Sequence, residues 1–391
     1  MRLSMKRIEY IAHTNKSRKL KIILFVILVF AVLLEIVFLS SPKEIKFGAE
    51  ELSNIKITEI AKNEKVLQAV VKRVGVKAVM EKLAAETGGG SFLDCHQGAH
   101  YIGRAAYNVY KEEAFQRCDS SCHSGCYHGA MEGILIEKGS IDFLRNLEDI
   151  CTSFDGAFGV FECYHGLGHA ILAYLNYDLP GTLKQCKELS NSFGFEINAC
   201  YAGAFMENVV TGQGLGTAKS PHATEWLNTT DPHFPCNKID QEYSIQHECY
   251  GMQTSWMLYL NHYNFDEVIG ECYNVPENMV LVCFQSLGRD IAGYTLRKPE
   301  RIAELCGKVP KDKHYYDRCI DGALNVILDF WGPGLKDQAT ALCRLVEEPS
   351  KRSCYSILAN ALSFIFLTPE EAEPVCRSFE EKYRNLCAPP R

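Results

Sequence analysis

Residues 299–328 read PERIAELCGKVPKDKHYYDRCIDGALNVIL, and this stretch contains the unit from which most of the chain is built. Pro299 stands where a helix can begin, and a helical pattern runs from it to Cys306. A polar loop follows, and a second helical pattern contains Cys319. Because a hairpin brings the end of its first helix beside the start of its second, the two cysteines are predicted to lie within disulfide distance. The stretch therefore predicts a helical hairpin clipped by its own disulfide.

The same pair of cysteines recurs along the chain from residue 151 on. Starting from Cys126, the second cysteines follow one another after 37, 37, 49, 34, 36, 35 and 33 residues. A period of about 36 residues is the length of a two-helix repeat. The predicted fold class is all-α, with tandem disulfide-clipped helical hairpins that form an α-solenoid or an α/α toroid. The predicted bridges are Cys151–Cys163, Cys186–Cys200, Cys236–Cys249, Cys272–Cys283, Cys306–Cys319, Cys343–Cys354 and Cys376–Cys387.

The architecture resembles helical repeats of the tetratricopeptide or Sel1-like kind, but the specific signatures of those repeats are absent. The opening of the array is less regular, since residues 56–86 are predicted to form a hairpin without cysteines. Among the next four cysteines, analogy favours Cys118–Cys126 and leaves Cys95–Cys122, although three pairings are open. The one long interval contains an insertion, residues 211–235, which is predicted to be a surface loop.

An apolar run near the N-terminus predicts a membrane anchor. Residues 22–39 are interrupted only by Glu35, which is near the minimum length for a spanning helix. Basic residues precede this run and only scattered lysines follow it. Residues 1–21 are therefore predicted to be a cytoplasmic basic tail and residues 22–41 a transmembrane signal anchor. The alternative is a cleaved signal peptide, which Pro42 just beyond the run disfavours.

The cysteine count agrees with export of the remaining chain. All 18 cysteines follow the apolar run, and an even count of this size is typical of an oxidising compartment. Residues 42–391 are thus predicted to be an extracytoplasmic helical-repeat domain. The expected localisation is a single-pass membrane protein with a cytoplasmic N-terminus.

The charge distribution limits the classes of partner. Seven basic and two acidic residues give the first 41 residues a charge of +5, which leaves −12 for the rest of a chain whose net charge is −7. An acidic domain of this kind is a poor binder of nucleic acid. The expected partners are the membrane, through the N-terminal helix, and a peptide, glycan or protein.

Polar residues recur at positions two and six after the second cysteine of a repeat. In one repeat these positions lie opposite an apolar stripe that includes Tyr164, Leu167 and Ile171. We expect the polar face to line a concave groove, as inner helices of a solenoid do, although a face of this kind can also simply meet solvent. The predicted substrate-groove residues are Gln285, Arg289, Asp321 and Asn325.

Histidines occupy these positions in two adjacent repeats. His165 and His169 lie four residues apart and so side by side on a helix, a spacing found in helical zinc sites. The equivalent positions of the preceding repeat hold His128 and Glu132. His96 and His100 are offset by one position, and His123 is a further candidate. The predicted metal ligands are His128, His165, His169, His96 and His100.

Ligation by histidine and glutamate suits a divalent zinc, copper or iron ion. An open coordination position would activate water, with Glu132 or Glu207 as the predicted catalytic general base. Alternatively, the histidines form hydrogen bonds to backbone or substrate without a metal. Haem is not expected, because the segment from Cys118 to His123 is one residue longer than a haem-attachment motif.

Two functions fit these patterns. The first is a membrane-anchored metal-dependent hydrolase or oxidoreductase that uses the His/Glu site in the groove. The second is a non-enzymatic repeat scaffold that binds a peptide, glycan or protein partner. The insertion fits both hypotheses, as a lid or as a binding loop.

Overall fold

The chain is helical throughout the part that the structure describes. The computed structural model describes residues 54–87, 92–119, 121–122, 124–138, 150–151, 154, 156–189, 194–213, 224–227, 230–329, 336–366 and 368–387. Within these residues there are 17 α-helices and no strand, so the predicted all-α class is confirmed. The helices are α1 Ile57–Ile60, α2 Glu64–Val74, α3 Val76–Glu86, α4 Phe92–Tyr110, α5 Ala114–Arg117, α6 Gly125–Lys138, α7 Gly156–Tyr174, α8 Leu179–Lys187, α9 Gly194–Gly212, α10 Tyr243–Leu260, α11 Phe265–Glu271, α12 Val280–Tyr294, α13 Pro299–Cys306, α14 Tyr315–Asp329, α15 Lys336–Leu345, α16 Ser350–Ile365 and α17 Pro369–Arg377. Short 3-10 helices cover Lys111–Glu113, Glu277–Met279, Asp312–His314 and Glu381–Leu386.

The short helices begin at residues suited to helix starts. Asp178 accepts a hydrogen bond from the backbone N–H of Gly181 at 3.1 Å and so caps α8. Thr368 and Glu371 form a capping box at the start of α17. Pro299 is the first residue of α13, as the sequence predicts. These local signals fix where the first helix of each of these three hairpins starts.

The longer helices pack side by side in chain order. They are α4, α6, α7, α9, α10, α12, α14 and α16, and each contacts the next one. Helix α16 also contacts α7, where the ring of Phe364 lies 6.1 Å from that of Phe158 and 6.4 Å from that of Phe161. The later hairpins therefore return to the helix that carries His165 and His169.

Nine disulfides connect nearby helices. All seven predicted hairpin bridges are present, and the remaining four cysteines pair as Cys118–Cys126 and Cys95–Cys122. The Cα–Cα separations are 5.3–5.8 Å, within the range that a disulfide needs. Nine bridges indicate an oxidising, extracytoplasmic environment.

Glycines let the long helices approach one another closely. A Cβ atom on Gly129 of α6 would lie 1.9 Å from the carbonyl oxygen of His100 in α4. A Cβ on Gly203 of α9 would lie at the same distance from the carbonyl oxygen of His165 in α7. No side chain fits at such separations, so these positions require glycine. The close contacts hold α4 tightly against α6 and α7 tightly against α9.

Two predicted segments fall wholly or partly outside the described residues. The predicted basic tail and transmembrane anchor, residues 1–41, lie outside them. In the described part of the chain, no helix has the length and apolar content needed to cross a membrane. The insertion at residues 211–235 is described in part, and its Thr224 Oγ1 donates to Asn208 Oδ1 of α9 at 2.8 Å. Gln253 of α10 donates to the carbonyl oxygen of Phe234 at 2.9 Å, so the described ends of the insertion pack on α9 and α10.

Candidate metal centre

Five imidazoles from three helices meet in the interior. Helix α4 contributes His96 and His100, α6 contributes His128, and α7 contributes His165 and His169. All five are buried, and His128 and His169 have no exposed surface. We call these five residues the histidine cluster. Sequence spacing predicts that His96 or His100 joins the other three, and the structure brings both of them in.

His128 lies at the centre of the cluster. Its ring centroid is 5.3 Å from those of both His96 and His100 in α4. It is 5.1 Å from His165 and 4.9 Å from His169 in α7. This central place follows from the packing order, because α6 lies between α4 and α7.

Hydrogen bonds fix the tautomers of the two imidazoles in α4. His96 Nδ1 donates to the carbonyl oxygen of Cys122 at 2.9 Å, and a carbonyl can only accept. His100 Nδ1 donates to Glu132 Oε1 at 2.6 Å, while Arg104 bonds the other oxygen of this carboxylate. Both Nε2 atoms therefore carry lone pairs when the rings are neutral, and these atoms face each other at 3.0 Å. Two facing lone pairs repel unless a cation or a proton lies between them.

The pair in α7 repeats part of this arrangement. His169 Nδ1 donates to Glu207 Oε2 at 2.9 Å, so its Nε2 lone pair faces His165 Nε2 at 3.2 Å. The other oxygen of Glu207 accepts from Thr211 Oγ1 at 2.9 Å and from Tyr177 OH at 3.2 Å. A carboxylate that orients a ring through Nδ1 leaves Nε2 free to ligate, which is the usual arrangement behind a metal-bound histidine.

Glu162 is a buried carboxylate that sequence spacing missed. Its Oε2 lies 3.3 Å from Nε2 of His128, and the side chain is only 2% exposed. The polar positions that recur from repeat to repeat are two and six after each cysteine, whereas Glu162 directly precedes Cys163. Its signal in the sequence is that it carries the only charged side chain between Gly156 and Tyr174.

The electrostatic surroundings keep the central imidazole neutral. Burial, followed by the four neighbouring imidazoles, holds the pKa of His128 well below its ordinary value. Burial also lowers the pKa of His169, although the hydrogen bond to Glu207 opposes this effect. Neutral imidazole is the form that binds metals, so these lowered pKa values keep His128 and His169 in the form that can ligate.

The surroundings of the cluster differ from the open groove that the sequence predicts. Every residue of α7 from Glu162 to Leu172 is buried, because α6 and α9 both pack against this helix and α16 contacts it as well. Positions two and six after Cys163 are thus enclosed by neighbouring helices. The repeat pattern identifies which residues share a face but not that a later helix covers it.

The other predicted site residues lie elsewhere. Arg289 donates to Gly251 O at 2.6 Å and to Ser255 Oγ at 2.7 Å, and Asp321 accepts from Arg318 at 3.0 Å. Among the predicted groove residues, Asn325 is exposed, Gln285 and Arg289 are half-buried, and Asp321 is buried. Their role in substrate binding stays a prediction. His123 lies outside the described residues.

Ring nitrogens converge into two groups that can each hold a metal ion. One group is His96, His100 and His128, and the other is His128, His165 and His169. Within each group, one ligand atom per residue lies within 4.8 Å of the others. Comparisons with protein-family models, with curated proteins and with solved structures find no match for this chain. The geometry of the histidine cluster is therefore the basis for assigning a function.

Proposed function

We propose that this protein is an extracytoplasmic metalloprotein and that its histidine cluster is the metal centre of an oxidoreductase. One observation carries the proposal: the lone pairs on Nε2 of His96 and His100 face each other at 3.0 Å in a buried space. A protein interior does not keep two such groups together without compensation. A metal cation between them provides it.

The nitrogen separations suit a metal ion. A tetrahedral ion with bonds of about 2.0–2.1 Å to nitrogen places its ligand atoms about 3.3 Å apart. The two Nε2–Nε2 distances are 3.0 and 3.2 Å, and Glu162 Oε2 lies 3.3 Å from His128 Nε2. Imidazole ligands with a carboxylate suit copper, iron or zinc.

The roles of the carboxylates favour redox chemistry over hydrolysis. Glu132 and Glu207, the predicted general bases, both accept hydrogen bonds from ligand imidazoles, so we assign them to positioning His100 and His169. Hydrolysis of a polymer also requires access that a buried cluster does not give. Electrons and small molecules such as dioxygen reach a buried centre more readily, so a redox-active copper or iron is the ion we expect.

The proposal extends to the placement and arrangement of the chain. We propose that residues 22–41 anchor the protein in the membrane, with the N-terminus in the cytoplasm. The apolar run and its basic flank support this topology. Of the two predicted arrangements of hairpins, we favour the α/α toroid, because the return of α16 to α7 is a contact that an open solenoid does not make.

The test is the identity and redox behaviour of the bound metal. Full-length protein purified in detergent without a metal-affinity tag should retain copper or iron, and the metal should change oxidation state reversibly with ascorbate and dioxygen. A double variant with His96→Ala and His100→Ala should bind less metal than the wild type and keep its helical circular dichroism. The matched control is His314→Ala, since this side chain is 83% exposed and remote from the cluster in sequence.

Two results would overturn the proposal. Retention of zinc alone would contradict the proposed oxidoreductase and favour the predicted metal-dependent hydrolase. Absence of any metal affinity in the folded protein would leave the scaffold that binds a peptide, glycan or protein partner as the better hypothesis.

A further inference from the structure

His128 differs from the other four imidazoles in how its ring nitrogens are used. His96, His100 and His169 each direct Nδ1 to an oxygen acceptor, and Nε2 of His165 lies within hydrogen-bond distance of His169 Nε2 at 3.2 Å. Neither nitrogen of His128 forms a hydrogen bond to any residue that the structure describes, and the side chain has no exposed surface. Burying an imidazole whose two nitrogens both lack hydrogen bonds lowers the stability of the fold, unless another group binds these nitrogens.

The Nε2 edge of His128 faces α7. A Cβ on Gly166 of α7 would lie 2.9 Å from Cδ2 of His128, the carbon next to Nε2. Glu162, also in α7, approaches Nε2 itself at 3.3 Å. This edge is therefore directed at the helix that carries His165 and His169. Nδ1 is then the ring nitrogen left for the pair in α4, whose two ring centroids each lie 5.3 Å from that of His128.

The two groups of converging nitrogens share His128 and no other residue. One group completes the pair in α4 and the other completes the pair in α7. A single ion would leave one of these pairs without a cation between its Nε2 atoms. With two ions, each pair has a cation between its Nε2 atoms, and each nitrogen of His128 has an ion to bind.

We infer that the cluster holds two metal ions and that His128 bridges them as an imidazolate. This inference rests on the proposed function and deepens it. The first ion is held by His96, His100 and Nδ1 of His128, and the second by His165, His169 and Nε2 of His128, with Glu162 beside it. Binding of the second ion displaces the remaining N–H proton of the neutral His128 ring, and this proton passes to bulk water. No change of oxidation state is required.

The bridge fixes the distance between the ions. Two metal–nitrogen bonds of about 2.0–2.1 Å on opposite sides of one imidazole ring place the ions about 6 Å apart. Two paramagnetic ions joined through an imidazolate couple magnetically. The coupling gives the bridge a signature that separates it from two independent sites.

The experiment counts ions on the full-length protein in detergent with Cu(II) as the probe. Native mass spectrometry should give two ions for the wild-type chain. It should give one ion for the His96→Ala/His100→Ala variant and one for the His165→Ala/His169→Ala variant. The exposed-site variant His314→Ala should keep two. Electron paramagnetic resonance of the doubly loaded wild type should show far less signal than two isolated Cu(II) ions give.

The outcomes separate the inference from the proposed function. One ion on the wild type, lost in both double variants, overturns the dinuclear inference and leaves the metalloprotein proposal standing. No ion on folded wild type removes both. Two ions with the full signal of uncoupled Cu(II) overturn the bridge through His128. His128→Gln, checked for folding by circular dichroism, should lose the coupled state, and retention of coupling in this variant would also contradict the bridge.

Discussion

At the scale of single residues, two kinds of side chain make the centre: imidazoles that converge and carboxylates that orient them. Glu132 in α6 holds His100 of α4, and Glu207 in α9 holds His169 of α7. Each carboxylate thus comes from the helix that follows its histidine pair in the packing order. The orienting group and the imidazole become neighbours only when the hairpins pack, so the site depends on the fold around it.

The first prediction at this scale concerns the glycines at which the long helices touch. Gly129→Ala should lower the free energy of unfolding by about 1–3 kcal/mol or more, because the new Cβ would overlap the backbone of His100. Gly251→Ala is the matched control, since its Cβ would meet nothing within 4 Å and alanine is the better helix former. Thermal unfolding measures both. Equal melting temperatures for Gly129→Ala and wild type would contradict the close helix contact.

The depressed pKa of His128 predicts a pH dependence of stability. Protons bind His128 in the unfolded chain near its ordinary pKa of 6.5 but bind the folded state only at lower pH. The metal-free protein should therefore lose stability as the pH falls below 6.5. Above that pH, the neutral His128 should not reduce the free energy of unfolding. Denaturant unfolding at several pH values should show a smaller loss in His128→Gln. An identical pH dependence in the two proteins would contradict the assignment.

At the scale of the elements, local spacing predicted the hairpins because each disulfide joins two nearby helices. The seven hairpin bridges join cysteines 11 to 14 residues apart, so cysteine spacing identified these pairs. For Cys118–Cys126 and Cys95–Cys122, the sequence left three pairings open and analogy favoured the observed one. The burial of His165 and His169 could not be predicted in this way. It depends on α9 and α16, and the contact between α16 and α7 joins parts of the chain about two hundred residues apart. Glu162 was missed for a similar reason, since its proximity to His128 arises from packing between α6 and α7.

Removing a disulfide far from the cluster and removing one beside it should have different effects on metal binding, although both should lower stability. Replacing Cys306 and Cys319 with alanine should cost about 3 kcal/mol by the chain-entropy model and leave metal affinity unchanged. Replacing Cys95 and Cys122 should also destabilise the fold, but it frees the carbonyl that orients His96. Metal affinity should then fall about 10–100-fold, as when a group that orients a metal ligand is lost. Competition with a chelator measures this difference, and equal affinities in the two variants would contradict the role of Cys122.

At the scale of the whole molecule, the proposed topology places the centre outside the cytoplasm. Protease added to intact cells should remove an epitope at the C-terminus and leave an epitope at the N-terminus intact. A cytoplasmic marker protein serves as the control for cell integrity. Protection of the C-terminal epitope, while another outer-surface protein is digested, would contradict export of residues 42–391.

The most direct measurement is anomalous diffraction from crystals of the full-length protein, at the absorption edge of the metal it retains. We predict a peak between His96 and His100, about 2.0–2.1 Å from each Nε2 atom if the ion is zinc-like in its bond lengths. The same map should show whether a second peak lies between His165 and His169. An ordered cluster with no anomalous peak between His96 and His100, in crystals grown with copper or iron present, would contradict the metal centre.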